Sequence, residues 1–362
     1  MSTANAAMVR RYGDDVKLFR TTASKVAYAA LVAGVLLVPL AMTDYQASVA
    51  VFAGIAAIGA IGLNLLTGFT GQVSLGHAAF LGVGAYTAAY VGGELDWPLL
   101  LWLPAAALAG ALVGAAIGPF ALRLRGNYLA IVTLGLVFVA QYVFENWTSV
   151  TGGGNGRSVE APVAIGPIDF AELTVFGKEL TRDQSYFYLV WLLVLVVTLL
   201  AKNVVRSRPG RAMQAVRDRD RAAEAIGVEL ARYKVLAFVL SSALAAMAGG
   251  LYGSYQRFVN PESFNLFLSI TYIAMIVVGG VGLIFGSVLG AIFITVIPRI
   301  IEEVSAIPAI DSFLKDQGIT VASVNTAVFG LLIVLFLVLE PRGLAAIWLR
   351  IRMYFRAWPF SY

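Results

Sequence analysis

The chain contains no cysteine and a single histidine, His77, which excludes disulfides, thiol chemistry and a metal site built from several histidines. Charged residues are also scarce, at 13% of the 362 residues, which is about half the share usual in soluble domains. Apolar residues make up 59% of the chain, more than a soluble domain can bury. Several apolar runs reach the ~18 residues that a helix needs to cross a hydrocarbon core. Composition therefore predicts an all-α polytopic membrane protein.

The apolar runs predict about eight to ten transmembrane helices within a transmembrane domain at 26–340. The runs are 26–43, 47–66, 77–92, 99–122, 128–146, 185–201, 236–252, 265–283, 284–301 and 326–339. The first run could also be a cleaved signal peptide, but 25 residues precede it, which is long for that purpose. A first transmembrane helix is the favoured interpretation.

The positions of the basic residues predict the orientation of the chain. With the amino terminus inside, 20 of the 26 Lys and Arg residues fall in inside segments, as the positive-inside rule requires. The cytoplasmic segments are then 1–25, the turn 67–76, the short segment 123–127, the loop 202–235 and the basic, aromatic tail 341–362. The loop 147–184 is the longest one outside, and its alternating apolar residues around a Gly-Pro pair indicate a small hairpin. This loop is either an ordered connection or a docking site for a partner.

Two glycine clusters lie at membrane depth, at 62–84 and 279–290, one in each half of the chain. Small residues allow helices to pack closely in lipid. Paired interruptions also indicate broken segments, an internal pseudo-repeat and a translocation path at its interface. Both interpretations stay open, and His77 alone is more often structural than functional. The candidate path residues are Asn64, Thr70, Gln72, Ser74, His77, Gly279, Gly280 and Gly282.

The sequence offers no internal source of energy for transport. The apolar runs contain almost no ionisable residues, whereas proton- or sodium-coupled transporters usually keep carboxylates there. The phosphate-binding pattern GxxxxGK[ST] is also absent from the sequence. We therefore expect a transport subunit that is not an enzyme and that a cytoplasmic partner drives.

The charged segment 202–234 is the natural place for such a partner, because it holds nine of the 26 Lys and Arg residues. Pro209 predicts the start of a helix and Gly227 its end, so we expect one helix from Arg211 to Ile226 with Ile226 on its apolar face. A basic amphipathic helix could instead rest on anionic lipid. Acids alternate with the arginines at 217–221, which favours a protein socket.

GLNLLTGFTGQVSLGHAAFLGVGAY at 62–86 is similar to the segment that the LivH and LivM types of branched-chain amino acid permease share. Four further motifs resemble the LivM type more specifically: RLRGNYLAIVTLG at 123–135, NWTSVTGGGNG at 146–156, SRPGRAMQAVRDRDRAAEAIGV at 207–228 and GGVGLIFGSVLGA at 279–291. Within the motif at 207–228, AAEAIGV at 222–228 is similar to the coupling motif of importers driven by ATP-binding-cassette subunits.

The resemblance implies a bacterial inner-membrane permease that imports branched-chain or related amino acids by alternating access. It implies a LivH-type permease partner, two cytoplasmic ATPase subunits that bind ATP and magnesium, and an external solute-binding protein. This chain would bind lipid but neither a cofactor nor nucleic acid. The coupling residues it implies are Arg211, Arg217, Ala223, Glu224 and Gly227. A urea or short-amide permease of the same family is the alternative, and an ion-coupled carrier or channel is a rival of another class.

Overall fold

Long helices dominate the fold, as the apolar runs predict. The computed structural model describes residues 37–122, 128–166, 168–171, 173–175, 178–307, 312, 314, 320–339 and 343–357. The main helices are α1 (Asp44–Thr70), α2 (His77–Thr87), α3 (Leu99–Leu122), α4 (Tyr128–Asn146), α5 (Thr148–Thr151), α6 (Arg182–Arg206), α7 (Arg208–Asp218), α8 (Asp220–Ala225), α9 (Leu230–Gln256), α10 (Leu266–Gly279), α11 (Ile284–Ser305), α12 (Val321–Leu339) and α13 (Gly343–Ala357).

Six of the described helices, α1, α3, α4, α6, α9 and α11, are long and apolar enough to cross a membrane, and α10 and part of α12 are shorter apolar helices. This confirms an all-α polytopic membrane protein. The predicted span 77–92 is helix α2, which continues as a π-helix over Ala88–Glu94. Segment 1–25 and most of the predicted first span 26–43 lie outside the described residues. The internal pseudo-repeat stays a prediction.

Helix α1 lies at the centre of the bundle, where it contacts α6, α9, α10 and α11. It begins at a capping box in which Thr43 Oγ1 accepts from the Gln46 nitrogen at 3.3 Å and Gln46 Oε1 accepts from the Thr43 nitrogen at 3.2 Å. It ends at Gly71, whose φ of 73° is left-handed. Ala, Gly, Ile and Leu dominate its sequence, and nearly all of its residues after Ala53 are buried. The apolar run therefore forms a core helix surrounded by others.

Close glycine contacts bring helices α2 and α9 together. A Cβ added at Gly84 would collide with the Ala246 carbonyl, and one added at Gly249 would collide with the Leu81 carbonyl. These backbones can approach only because neither glycine carries a side chain. Close packing, one of the two interpretations of the first glycine cluster, is therefore correct at Gly84.

The loop 147–184 folds against one end of the bundle. Strand β1 (Arg157–Ser158) pairs with β6 (Phe258–Val259), which follows α9, while β2 (Ala164–Ile165) with β3 (Ile168–Asp169) and β4 (Thr174–Val175) with β5 (Lys178–Glu179) form two hairpins. The first of these is the hairpin that the alternating residues predict. The Trp102 indole donates to the Pro162 carbonyl at 2.7 Å, and Arg182 donates to the Ser254 and Tyr255 carbonyls. The loop is therefore ordered by contacts with α3 and α9.

Candidate functional site: the glycine junction and the docking element

The two glycine-broken regions meet in space at the end of the bundle opposite the loop 147–184. Asn64 on α1 joins them: its Oδ1 accepts from the Gly282 nitrogen at 2.8 Å, and its Nδ2 donates to the Leu283 carbonyl at 3.0 Å and to Ser287 Oγ at 2.7 Å. The side chain is 1% exposed. Because a buried amide satisfied in this way is costly to remove, Asn64 fixes α1 against the loop that connects α10 and α11.

Backbone atoms, rather than side chains, form much of this contact. A Cβ placed on Gly68 would lie 2.5 Å from the Gly282 nitrogen, so the close approach requires glycine at 68. Gly71 and Gly282 have φ values of 73° and 79°, a region that residues with a Cβ rarely adopt. We call the contact between residues 64–71 and 279–283 the glycine junction.

The second half of the junction is a tight turn between α10 and α11. Gly279 ends α10, and Gly280 has a φ of 125°. A Cβ on Gly279 would collide with the Gly286 carbonyl, and one on Gly343 at the start of α13 would lie 2.5 Å from the Gly280 nitrogen. The path candidates Gly279, Gly280 and Gly282 thus lie together in a turn that α13 also contacts.

The remaining path candidates lie in and around the connection 71–76. Thr70 Oγ1 donates to the Leu65 carbonyl at 3.0 Å, and Gln72 Nε2 donates to the Lys234 carbonyl at 3.3 Å. Ser74 Oγ accepts from the Gly76 nitrogen at 3.3 Å. All three side chains are buried. Gln72 therefore joins this connection to the start of α9, and the connection is held by side-chain bonds rather than left open.

His77 begins helix α2 and is fully enclosed by protein. Its ring lies 4.9 Å from the Tyr272 ring, centroid to centroid. No described residue gives its Nε2 a hydrogen-bond partner. The structure thus places His77 beside the other path candidates, against α10.

Two polar residues that the sequence did not single out fix the start of α2. Thr133 Oγ1 on α4 accepts from the Leu75 nitrogen at 2.9 Å, and Ser269 Oγ on α10 accepts from the Ala78 nitrogen at 3.0 Å. Ser269 thus satisfies a backbone donor that the helix start leaves free, and Thr133 fixes the connection just before the N-cap Gly76. A single Thr or Ser within an apolar run carries no signal that separates this role from ordinary packing.

The charged segment 202–234 folds into two short helices instead of one. Helix α7 starts with Pro209 in its first turn, as predicted, but it ends at Asp218. Arg219 is extended, with φ −158° and ψ 101°, and α8 starts at Asp220. The predicted continuous helix from Arg211 to Ile226 is therefore wrong. The break separates Met213 and Val216, which are both 1% exposed, from the second helix. We call residues 208–227 the docking element.

Ile226 is on the surface and not on the expected buried face. Its side chain is 77% exposed, and it directly follows α8, whose Ala223 is 2% exposed. Gly227 has a φ of 86° and follows the helix end, which confirms the predicted stop. Lys234 Nζ binds Asp220 Oδ2 at 2.6 Å, so the start of α8 is fixed to α9. Ile226 is a candidate contact residue that the sequence reasoning placed incorrectly.

The five predicted coupling residues differ in their surroundings. Arg211 is exposed and donates to the Arg206 carbonyl at 2.7 Å, within the same segment. Glu224 and Gly227 are exposed beside Ile226, whereas the buried methyl group of Ala223 packs inside the chain. Arg217 extends away from the others, into the glycine junction: its Nη1 donates to the Gly68 carbonyl at 2.9 Å.

A cavity beside the docking element separates α8 from the start of α9. It encloses about 970 Å³ and is lined largely by charged side chains of both signs, among them Asp220, Arg221, Glu224 and Arg232. A cleft with this lining suits a partner surface that also carries both signs.

An all-α bundle whose long helices can cross a membrane, with paired glycine breaks and a charged two-helix element at one end, defines the class of the protein as a polytopic membrane protein. The family model described as branched-chain amino acid transport system / permease component matches residues 45–337. The chain therefore belongs to this permease family.

Individual relatives agree with this assignment. The high-affinity branched-chain amino acid transport system permease protein LivM is 35% identical in Salmonella typhimurium and 36% identical in Escherichia coli K12, in each case over 257 residues, 67% of this chain and 60% of the relative. The LivH permease protein of Salmonella typhimurium is 26% identical over 66% of this chain and 78% of its own length. The chain thus matches about 60% of the length of the LivM relatives. No solved structure matches it.

Proposed function

We propose that the chain is the LivM-type transmembrane subunit of an ATP-binding-cassette importer for branched-chain or related amino acids. Membership of the permease family and the greater identity to LivM than to LivH support this assignment. The subunit makes no covalent bond, so it acts by binding and by changing shape. Its place is the bacterial inner membrane, beside a LivH-type permease.

The observation that carries the proposal is the docking element with Ile226 at its tip. A large aliphatic side chain that is 77% exposed, on a segment outside the membrane-spanning helices, is typical of an anchor that a partner covers. Charged residues of both signs surround it, as the rim of a protein interface requires. A surface of this kind suits an ATPase subunit that binds ATP and magnesium. The importer would contain two such subunits. One would cover the docking element of this chain, and the other would cover the equivalent element of the LivH-type permease.

The same arrangement supports the proposed orientation. Connection 71–76, turn 280–283 and the docking element lie at one end of the bundle, and the loop 147–184 lies at the other. The end with the docking element carries the basic charged segment and faces the cytoplasm, together with both termini. The other end faces the external solute-binding protein.

The glycine junction is the part of this subunit that we assign to the translocation path. Its candidates are buried within a single copy of the chain. A path along them would open only when α1 and the turn 280–283 separate, or at the face that the LivH-type subunit covers. Left-handed glycines are suited to such a change because they tolerate large changes in φ and ψ.

Uptake by the complete complex tests this function. The permease pair, the ATPase subunits and the binding protein are reconstituted in vesicles, and ATP-dependent accumulation of isoleucine, urea and autoinducer 2 is measured. The last is included because autoinducer 2 import permeases LsrC are also relatives, at 29% identity over 58% of this chain. We expect isoleucine uptake that requires ATP. Uptake of urea alone would contradict the amino-acid assignment, and uptake without ATPase subunits would favour a carrier or channel.

A further inference from the structure

Arg217 physically connects the docking element to both glycine-broken regions. Its Nη1 donates to the Gly68 carbonyl at 2.9 Å, four residues after Asn64 on α1. The same nitrogen lies 3.0 Å from the position of a Cβ on Gly282, and the Arg217 Cγ lies 3.3 Å from that on Gly71. One side chain from α7 therefore touches the end of α1, the connection after it and the turn 280–283.

The chemistry of this contact is that of a cation at a helix end. Gly68 lies in the last turn of α1, where carbonyl groups have no partner within the helix and carry partial negative charge. The guanidinium is planar and carries five donors in a fixed geometry, and Asp218 Oδ1 holds its other side at 3.0 Å. Arg217 is thus oriented by its own helix while it binds another.

Two other cations of the charged segment 202–234 have partners within that segment. Arg211 binds the Arg206 carbonyl, and Lys234 binds Asp220. Gly282 leaves the space that the Arg217 guanidinium occupies and Gly71 the space for the base of the Arg217 side chain, and a side chain at either position would be both strained and in contact with Arg217. The geometry therefore connects the docking element to the junction at Arg217.

We propose that Arg217 is a positioning residue that transmits movement of the docking element to the glycine junction. When the ATPase subunits move α7, the Arg217 guanidinium moves with α7. It thereby shifts the end of α1 with respect to the turn 280–283. A small shift of this kind switches the glycine junction from one packed arrangement to another, because packed contacts are bistable and do not deform continuously. This inference rests on the proposed function, since it requires ATPase subunits at the docking element.

The test separates coupling from assembly in the reconstituted importer. The variants Arg217→Ala and Arg217→Gln remove the charge, and Arg217→Lys keeps it without the planar fork. For each variant, ATPase subunits bound per permease, ATP hydrolysis and isoleucine uptake are measured. All variants should bind the ATPase subunits normally. The number of ATP molecules hydrolysed per isoleucine imported should rise at least about tenfold in the Ala and Gln variants, because each loses a hydrogen bond made by a charged group. Arg217→Lys should recover part of the coupling.

Arg206→Ala is the matched control, because Arg206 is an exposed arginine at the end of α6, just outside the docking element, and its coupling ratio should equal that of the unmodified protein. A normal ratio in assembled Arg217→Gln would overturn the proposal, even if Arg217→Ala does not insert. Loss of ATPase binding in the Arg217 variants would also overturn it, because Arg217 would then act in docking. Failure of the unmodified complex to show ATP-driven uptake would instead contradict the proposed function.

Discussion

Replacing Asn64 with leucine tests whether the glycine junction holds the two halves of the bundle together. Leucine is close to asparagine in size but forms no hydrogen bonds, so the Gly282 nitrogen and the Leu283 carbonyl lose their Asn64 partners. Interhelical hydrogen bonds in membrane proteins average about 0.6 kcal/mol, and a buried group left unpaired costs about 1–3 kcal/mol. With three bonds lost, the free energy of unfolding should fall by roughly 2 to 5 kcal/mol.

Unfolding in mixed detergent micelles, followed by the fluorescence of the six tryptophans, measures this change. Asn146→Leu is the control, because Asn146 is exposed and its Nδ2 donates to Tyr142 within the same helix. This variant should lie within about 0.5 kcal/mol of the unmodified protein, as is usual for surface substitutions. Equal stability of the Asn64 and Asn146 variants would refute the argument. A double-mutant cycle with Ser287→Ala should also give a coupling energy above about 0.5 kcal/mol.

Three further predictions follow from the contacts described above. Ile226→Asp should lower the affinity for the ATPase subunits at least thirtyfold, the equivalent of about 2 kcal/mol for an interface anchor, and Ile226→Leu should not; equal pull-down of both variants would contradict the anchor role. Gly84→Ala should lower the free energy of unfolding by about 1–3 kcal/mol through overpacking against α9, whereas Gly135→Ala, with nothing within 4 Å, should not. Arg182→Ala should speed protease cleavage of the loop 147–184 and leave cleavage of the docking element unchanged, whereas faster cleavage at both places would indicate general unfolding instead.

Local sequence patterns were sufficient to predict most of the long helices and several helix ends. Pro209 marks the first turn of α7 and Gly227 the stop after α8, because each has a conformational preference that acts within its own turn. The glycine breaks near 71 and 280 follow from the same reasoning, since only glycine adopts such backbone angles readily.

Contacts between distant parts of the chain explain what the sequence could not predict. The docking element breaks at Arg219, although its sequence suits one continuous helix. Lys234 on α9 binds Asp220 at the start of α8, while Met213 and Val216 of α7 are buried. Each short helix is therefore fixed separately, and Ile226 is left exposed. These are tertiary effects that override helix propensity.

The pairing of Asn64 with Gly282 was equally inaccessible, because the two residues are 218 positions apart. The sequence indicated that both regions are broken, and it left packing and path open as explanations. The structure shows the packing directly through Gly68 and Gly282. The path assignment of Thr70, Gln72 and His77 stays a prediction.

The backbone composition of the glycine junction has a consequence for how permeases of this kind can diversify. Arg217 binds a backbone carbonyl oxygen of α1 and lies against Gly71 and Gly282, while Asp218 beside it orients the guanidinium, so this link to α1 and the turn 280–283 uses no side chain of those two segments. Under the proposed function, substitutions of other side chains on α1 or α10 would therefore leave the link to the docking element unchanged. Solute preference could then change separately from the contact with the ATPase subunits that we propose.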